Sequence, residues 1–321
     1  MRHFTYAAAI GLMAGAAGAQ TWDMPTPYGD STFHTQNIMQ FAEDVEAATD
    51  GQLAITVHSA GSLFPHPEIK NAVRSGQVPI GEFFLSTLEN ENAAYGLDSQ
   101  PFLATSYDGA QALWEAQEPV ITELLAEQGL MPLYSVAWPA QGLYTNGEIE
   151  TVDDLSGLRF RAYNAALEEF AQLAGAAPVQ VEAPDIPQAF TTGQIEAMIT
   201  SPSTGANSKA WDFVSHYTPI NAWVPKNIVV VNERAFRRLP QDVQDAVMQA
   251  ADEAEARGWE MSKEEAETKT QEMADNGMTI VEPSEELTEG LQEIGGQMLE
   301  NLRQDASEEA LTVLEEYQGE S

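Results

Sequence analysis

The chain contains no cysteine, which rules out a disulfide framework, a thiolate nucleophile and thiolate metal ligands. Basic side chains are scarce too: 14 lysines and arginines stand against 50 aspartates and glutamates, for a formal net charge of −36. A chain of that sign repels phosphate backbones and anionic lipid, so nucleic acid is excluded as a partner. The excess reads as solvation in a saline medium, and attraction of cationic ligands is the other reading. Beyond the first residues the histidines are His34, His58, His66 and His216. None stands in HExxH or a comparable ligand spacing, and no GxSxG or phosphate-loop pattern occurs. Neither a metal nor a cofactor is therefore expected. His66 lies in Phe64-Pro65-His66-Pro67-Glu68, where the prolines read as a helix entry rather than a metal site. So many carboxylates place pairs at catalytic separation by chance, which leaves an exported hydrolase as a distant alternative.

Long hydrophobic runs are also missing. The apolar stretch Tyr6–Ala17 falls short of the roughly 20 residues that span a bilayer, so no stable membrane insertion is expected. It follows Arg2 and His3 and precedes the small-x-small sequence Ala17-Gly18-Ala19. That is the layout of an export signal over residues 1–19, cut before Gln20, and it predicts a periplasmic protein.

The rest of the chain alternates short β runs with helical patterns, the signature of α/β architecture, and exceeds what one core usually holds. Two lobes are expected, with the first over 20–142 and the second over 143–227. Part of 228–260 returns to the first lobe. Val243, Val247, Ala250, Ala251 and Ala254 form the stripe of one long helix over 240–276. At 1.5 Å per residue it reaches about 50 Å, long enough to touch both lobes. Residues 277–321 read as an acidic helical region. Pro119 predicts a break between two helices in Tyr107–Gln128, and a further helix is expected near Lys209–Val214.

The most informative stretch is Asp154-Leu155-Ser156-Gly157-Leu158-Arg159-Phe160-Arg161-Ala162-Tyr163-Asn164. Two arginines stand at i and i+2 on a predicted strand, hence on one face. Arg161 is at the strand's C-terminal end, where open α/β sheets place ligands. Its planar fork matches a carboxylate; a salt bridge to one of the many acids is the competing reading. Glu82, in the apolar run Val78–Leu85, is costly unless paired. It is either salt-bridged or turned outward, or it recognises a ligand ammonium. Trp138 and Trp223 are each either an aromatic wall or core, and Tyr28 either lines a site or sits on a surface turn.

The ordered motifs resemble the substrate-binding subunits of TRAP (tripartite ATP-independent periplasmic) transporters over nearly the whole mature chain. They are Ala60-Gly61-Ser62-Leu63 with Glu68, Ala72 and Gly76; Pro101-Phe102; Asp154 to Arg161; Gly175-Ala176-Ala177-Pro178; Ala189 to Glu196; and Leu239 to Gln244. The resemblance implies a two-lobed periplasmic solute-binding protein fold with a long helix bracing both lobes. It also implies no enzymatic turnover, a small-molecule solute as cargo and TRAP membrane permease subunits as partners. Arg161 occupies the position that pairs with the ligand carboxylate in the family, and Arg159 the position of a lysine with a structural role. Where many relatives have Asp-Gly-x-Glu, this chain continues Glu196 to Thr204 with small hydroxyls. The resulting expectation is a compact carboxylate gripped by Arg161 with Asn164, Ser201 and Ser203. The alternative is a small amine or amino alcohol held by Glu82 and the aromatics.

Overall fold

The structure is a computed structural model that describes residues 19–319; apart from Ala19, the expected export signal lies outside them. The first elements are β1 (Gln20–Pro25), α1 (Phe33–Ala48), β2 (Leu53–His58), α2 (His66–Arg74) and β3 (Ile80–Phe84). Then come α3 (Tyr107–Ala126), β4 (Leu130–Ala137), β5 (Gly142–Thr145), β6 (Arg159–Ala162), α4 (Ala165–Leu173) and β7 (Ala177–Gln180). These are followed by α5 (Ile186–Thr191), β8 (Ala197–Thr200), α6 (Pro202–Asn207), β9 (His216–Thr218), β10 (Lys226–Asn232) and α7 (Glu233–Phe236). The chain closes with α8 (Gln241–Asp275), β11 (Thr279–Ile280), α9 (Glu285–Asp305) and α10 (Glu308–Gly319).

Two lobes form around separate sheets. In the first, β10 lies antiparallel between β3 and β4, with the parallel pair β1–β2 alongside. The second is built on a mixed sheet in the order β11-β9-β5-β8-β6-β7. β10 reads Asn227-Ile228-Val229-Val230-Val231 and is buried throughout that run, as a strand covered on both faces must be. Two strands of chain cross between the lobes zipped to each other: Trp138 N–H donates to the Pro225 carbonyl at 2.7 Å, and Gln141 N–H to the Trp223 carbonyl at 3.0 Å.

The helix α8 has 35 residues, about 50 Å of rise, and ties both lobes together. Toward its middle Asn37 Nδ2 donates to the Ala254 carbonyl at 2.8 Å, Arg257 pairs with Asp44 at 3.0 Å, and Trp259 Nε1 donates to the Ser135 carbonyl at 3.0 Å. All three contacts are to the first lobe. Farther along, Ser203 Oγ of the second lobe donates to Glu265 at 2.6 Å. The approach to β4 is close enough that a Cβ at Gly258 would fall 2.5 Å from Val136 Cγ2.

Two local expectations need correction. Pro119 does not break α3, which runs continuously through it. The ring forfeits one helical hydrogen bond, and burial of Leu113, Trp114, Ile121 and Leu125 on either side offsets the loss. The stretch Lys209–Val214 holds only a 3-10 turn at Ala210–Asp212, because Lys209 sits at φ +53°, outside the helical region. Among the described residues no helix is long and apolar enough to cross a membrane.

Candidate functional site

A cavity lies between the lobes, a common place for small-molecule sites. Tyr28, His66, Phe84 and Thr87 reach it from the first lobe, and Arg161, Tyr163, Glu182, Thr200, Ser201 and Thr204 from the second. Trp138 and Gln141, on the crossing segment, and Ala183 of the second lobe complete the lining. β6 runs parallel to both β7 and β8, so their C-terminal ends open toward the same place, as in other open α/β sheets.

Arg161 is the charge of this cavity. It is 3% exposed. Its Nε donates to the Val181 carbonyl at 2.9 Å, its guanidinium lies 4.9 Å from the Tyr163 ring centroid, and its buried Nη1 has no hydrogen-bond partner among the described residues. Burial lowers its pKa to about 10, which still leaves it cationic at neutral pH. A buried cation costs several kcal/mol unless it is paired, and one carbonyl with an aromatic face offsets only part of that. Arg159, two residues earlier, is 48% exposed and pairs with Glu196 at 3.0 Å, so the two arginines divide into a surface pair and a site group.

The opposite charge comes from Glu182. The His66 ring beside it holds this carboxyl below its usual range, with Nδ1 of His66 3.5 Å from the Glu182 oxygen. Phe84 N–H donates to His66 Nε2 at 3.1 Å, so the imidazole carries its hydrogen on Nδ1 and presents it to Glu182. The pair spans the two lobes.

The aromatic wall is set edge to face, with Tyr28 and Trp138 centroids 5.0 Å apart at 68°. Ser201 caps α6: its Oγ accepts from Thr204 N–H at 3.0 Å and donates to Thr204 Oγ1 at 3.0 Å. The hydroxyl hydrogen of Thr204 is therefore free to donate.

Of the eight residues singled out in the sequence, the structure brings Arg161, Trp138, Ser201 and Tyr28 together on the cavity. The other four lie elsewhere. Glu82 stands behind the wall, 2% exposed, accepting from Thr26 Oγ1 at 2.6 Å and Asn227 Nδ2 at 2.8 Å; it is inward and hydrogen-bonded, not turned to a ligand. Trp223 is core of the second lobe, packed among Leu143, Ala222 and Leu291. Ser203 is spent on Glu265 of α8. Asn164 caps α4 through Leu167 N–H and reaches Ser86 of the first lobe. Sequence reasoning missed Tyr163, although it continues the period-two face of Arg159 and Arg161. Glu182 carried no signal among 50 acids.

The family model of bacterial extracellular solute-binding protein family 7, DctP, matches residues 26–305. The chain belongs to this family. Its fold is that of TRAP solute receptors. DctP7, a Bordetella pertussis extracytoplasmic solute receptor binding pyroglutamic acid, superposes with a TM-score of 0.92 at 41% identity, covering 94% of this chain and 100% of that one. A marine metagenome TRAP solute-binding protein specific for pyroglutamate gives 0.91 at 39% identity, over 94% of this chain and 99% of that one. A solute-binding protein of Sulfitobacter is 24% identical over 286 residues, 84% of this chain and 86% of that protein. The family is one of bacterial extracellular solute-binding proteins, and this chain is a solute-binding receptor of the TRAP type.

Proposed function

We propose that this receptor captures a small cyclic carboxylate of the pyroglutamate class in the periplasm and delivers it to TRAP membrane permease subunits. The observation that carries the reading is the buried Nη1 of Arg161, on the cavity wall and without a hydrogen-bond partner among the described residues. A ligand carboxylate supplies the missing partner through a charge-assisted bond worth about 1.5–3 kcal/mol net. Two receptors about 40% identical to this one bind pyroglutamate or pyroglutamic acid, and the Tyr28–Trp138 wall and Thr204 supply an aromatic face and a hydroxyl on the same cavity. Ligand enters while the lobes are apart and is buried when they close. The amine reading loses its main support because both Glu82 oxygens are engaged behind the wall.

A thermal-shift screen of the mature protein in high salt tests this. Pyroglutamate and related small carboxylates are expected to raise the unfolding midpoint by several degrees at saturating concentration. A shift with amines alone would overturn the proposal.

A further inference from the structure

Behind the aromatic wall lies a polar chain centred on Asn227. Asn227 Nδ2 donates to Glu82 Oε1 at 2.8 Å, while Asn227 Oδ1 accepts from Trp138 Nε1 at 2.9 Å and from the Tyr28 hydroxyl at 3.3 Å. The orientation of the Asn227 amide is chemically determined. An indole N–H can only donate, so it must meet the amide oxygen. Glu82 also receives the Thr26 hydroxyl at 2.6 Å and has His34 Nδ1 at 3.4 Å, so it acts as an acceptor and must meet the amide nitrogen. With Oδ1 turned to the wall, the Tyr28 hydroxyl spends its hydrogen on Asn227. What Tyr28 Oη has left for a ligand is lone pairs. Burial first, and then the nearby Glu82, hold the phenol well above its ordinary range, so the hydrogen stays in place.

Resting on the pyroglutamate-class reading, we infer that Glu82 and Asn227 are positioning residues that make Tyr28 an acceptor, so that the receptor selects carboxylates carrying a ring N–H. Specificity at this wall is a matter of hydrogen-bond polarity: an N–H on the ligand finds an acceptor, whereas a ring oxygen there meets lone pairs and is disfavoured. Arg161 grips the carboxylate of either ligand.

The test compares pyroglutamate with its lactone analogue, 5-oxotetrahydrofuran-2-carboxylate, by calorimetric titration. Wild-type protein is expected to favour the lactam about tenfold, the worth of one hydrogen bond. Tyr28→Phe should bring that ratio close to one, chiefly by weakening the lactam. Asn227→Leu removes the acceptor of the Tyr28 hydroxyl and frees its hydrogen, so its ratio should fall as well. A purely structural role for Asn227 or Tyr28 would weaken both ligands equally and keep the ratio, which would overturn the inference. Equal binding of lactam and lactone by the wild type would overturn it too, leaving the receptor role standing. No binding of either ligand would overturn both. Circular dichroism verifies folding, and Tyr28→Phe, the mildest change, decides the matter if Asn227→Leu does not fold.

Discussion

Asn164 Nδ2 of the second lobe donates to Ser86 Oγ of the first at 2.9 Å. Close by, the Glu89 carboxylate of the first lobe accepts the backbone N–H groups of Ala165 and Ala166, the latter at 3.1 Å. These donors open helix α4 in the second lobe, where a partial positive charge favours an anion. With the His66–Glu182 pair, the two contacts fasten the lobes in the closed arrangement. A residue singled out as a ligand partner, Asn164, thus works as part of the clasp.

Glu89 gives closure a pH dependence. Burial, ahead of the opposing backbone hydrogen bonds, raises its pKa to about 7, with Asp98 and Glu168 adding to the rise. In the open arrangement the group returns toward the ordinary glutamate value near 4.3. The closed form, with the higher pKa, holds the proton more tightly. Its advantage is full below the open-state value and is lost as pH rises through about 7. Affinity should therefore fall between pH 5 and 8, by at most about tenfold per pH unit. Glu89→Gln, which keeps the acceptor oxygen, should flatten the profile. Titrations at four pH values check both, and an unchanged slope in the variant would contradict the clasp.

Lys226 and Asp98 form a buried pair at the start of β10, with Nζ 3.7 Å from Oδ2 and both side chains fully buried. Burial pulls the lysine pKa down and pushes the aspartate up. Asp98 also accepts Lys226 N–H at 2.8 Å, so it holds the strand as well as the charge. Asp98→Asn leaves the ammonium buried without its counter-charge and should destabilise the protein by about 3–5 kcal/mol in chemical denaturation. A loss below about 1 kcal/mol would mean that the pair is dispensable.

Salt should stabilise the protein. A net charge of −36 repels itself, and about 1 M salt shortens the Debye length to about 3 Å. The thermal midpoint is expected to climb between low salt and 1 M; a flat midpoint would contradict the electrostatic account.

What the sequence made legible follows from how far each signal reaches along the chain. Arg161 stood out because it is one of few cations, on a period-two strand at a sheet's C-terminal end, and α8 because its apolar stripe persists over many turns. Glu82 was conspicuous as a carboxylate in an apolar run, but its partners Thr26 and Asn227 are 56 and 145 residues away. Only the fold could show that it faces them and not a ligand. Trp138 and Trp223 are chemically alike, and which became wall and which core depends on where two crossing segments meet. Pro119 was misleading because a local penalty was outweighed by packing that its neighbours do not reveal.

The central claim is that Arg161 receives the ligand's carboxylate, and calorimetric titration of pyroglutamate into wild type and Arg161→Met tests it most directly. The variant keeps an unbranched apolar stem and removes the guanidinium. The account predicts a loss of affinity of about ten- to a hundredfold with the unfolding midpoint retained or raised, since an unpaired buried charge has been removed. Affinity within a few-fold of wild type would contradict it.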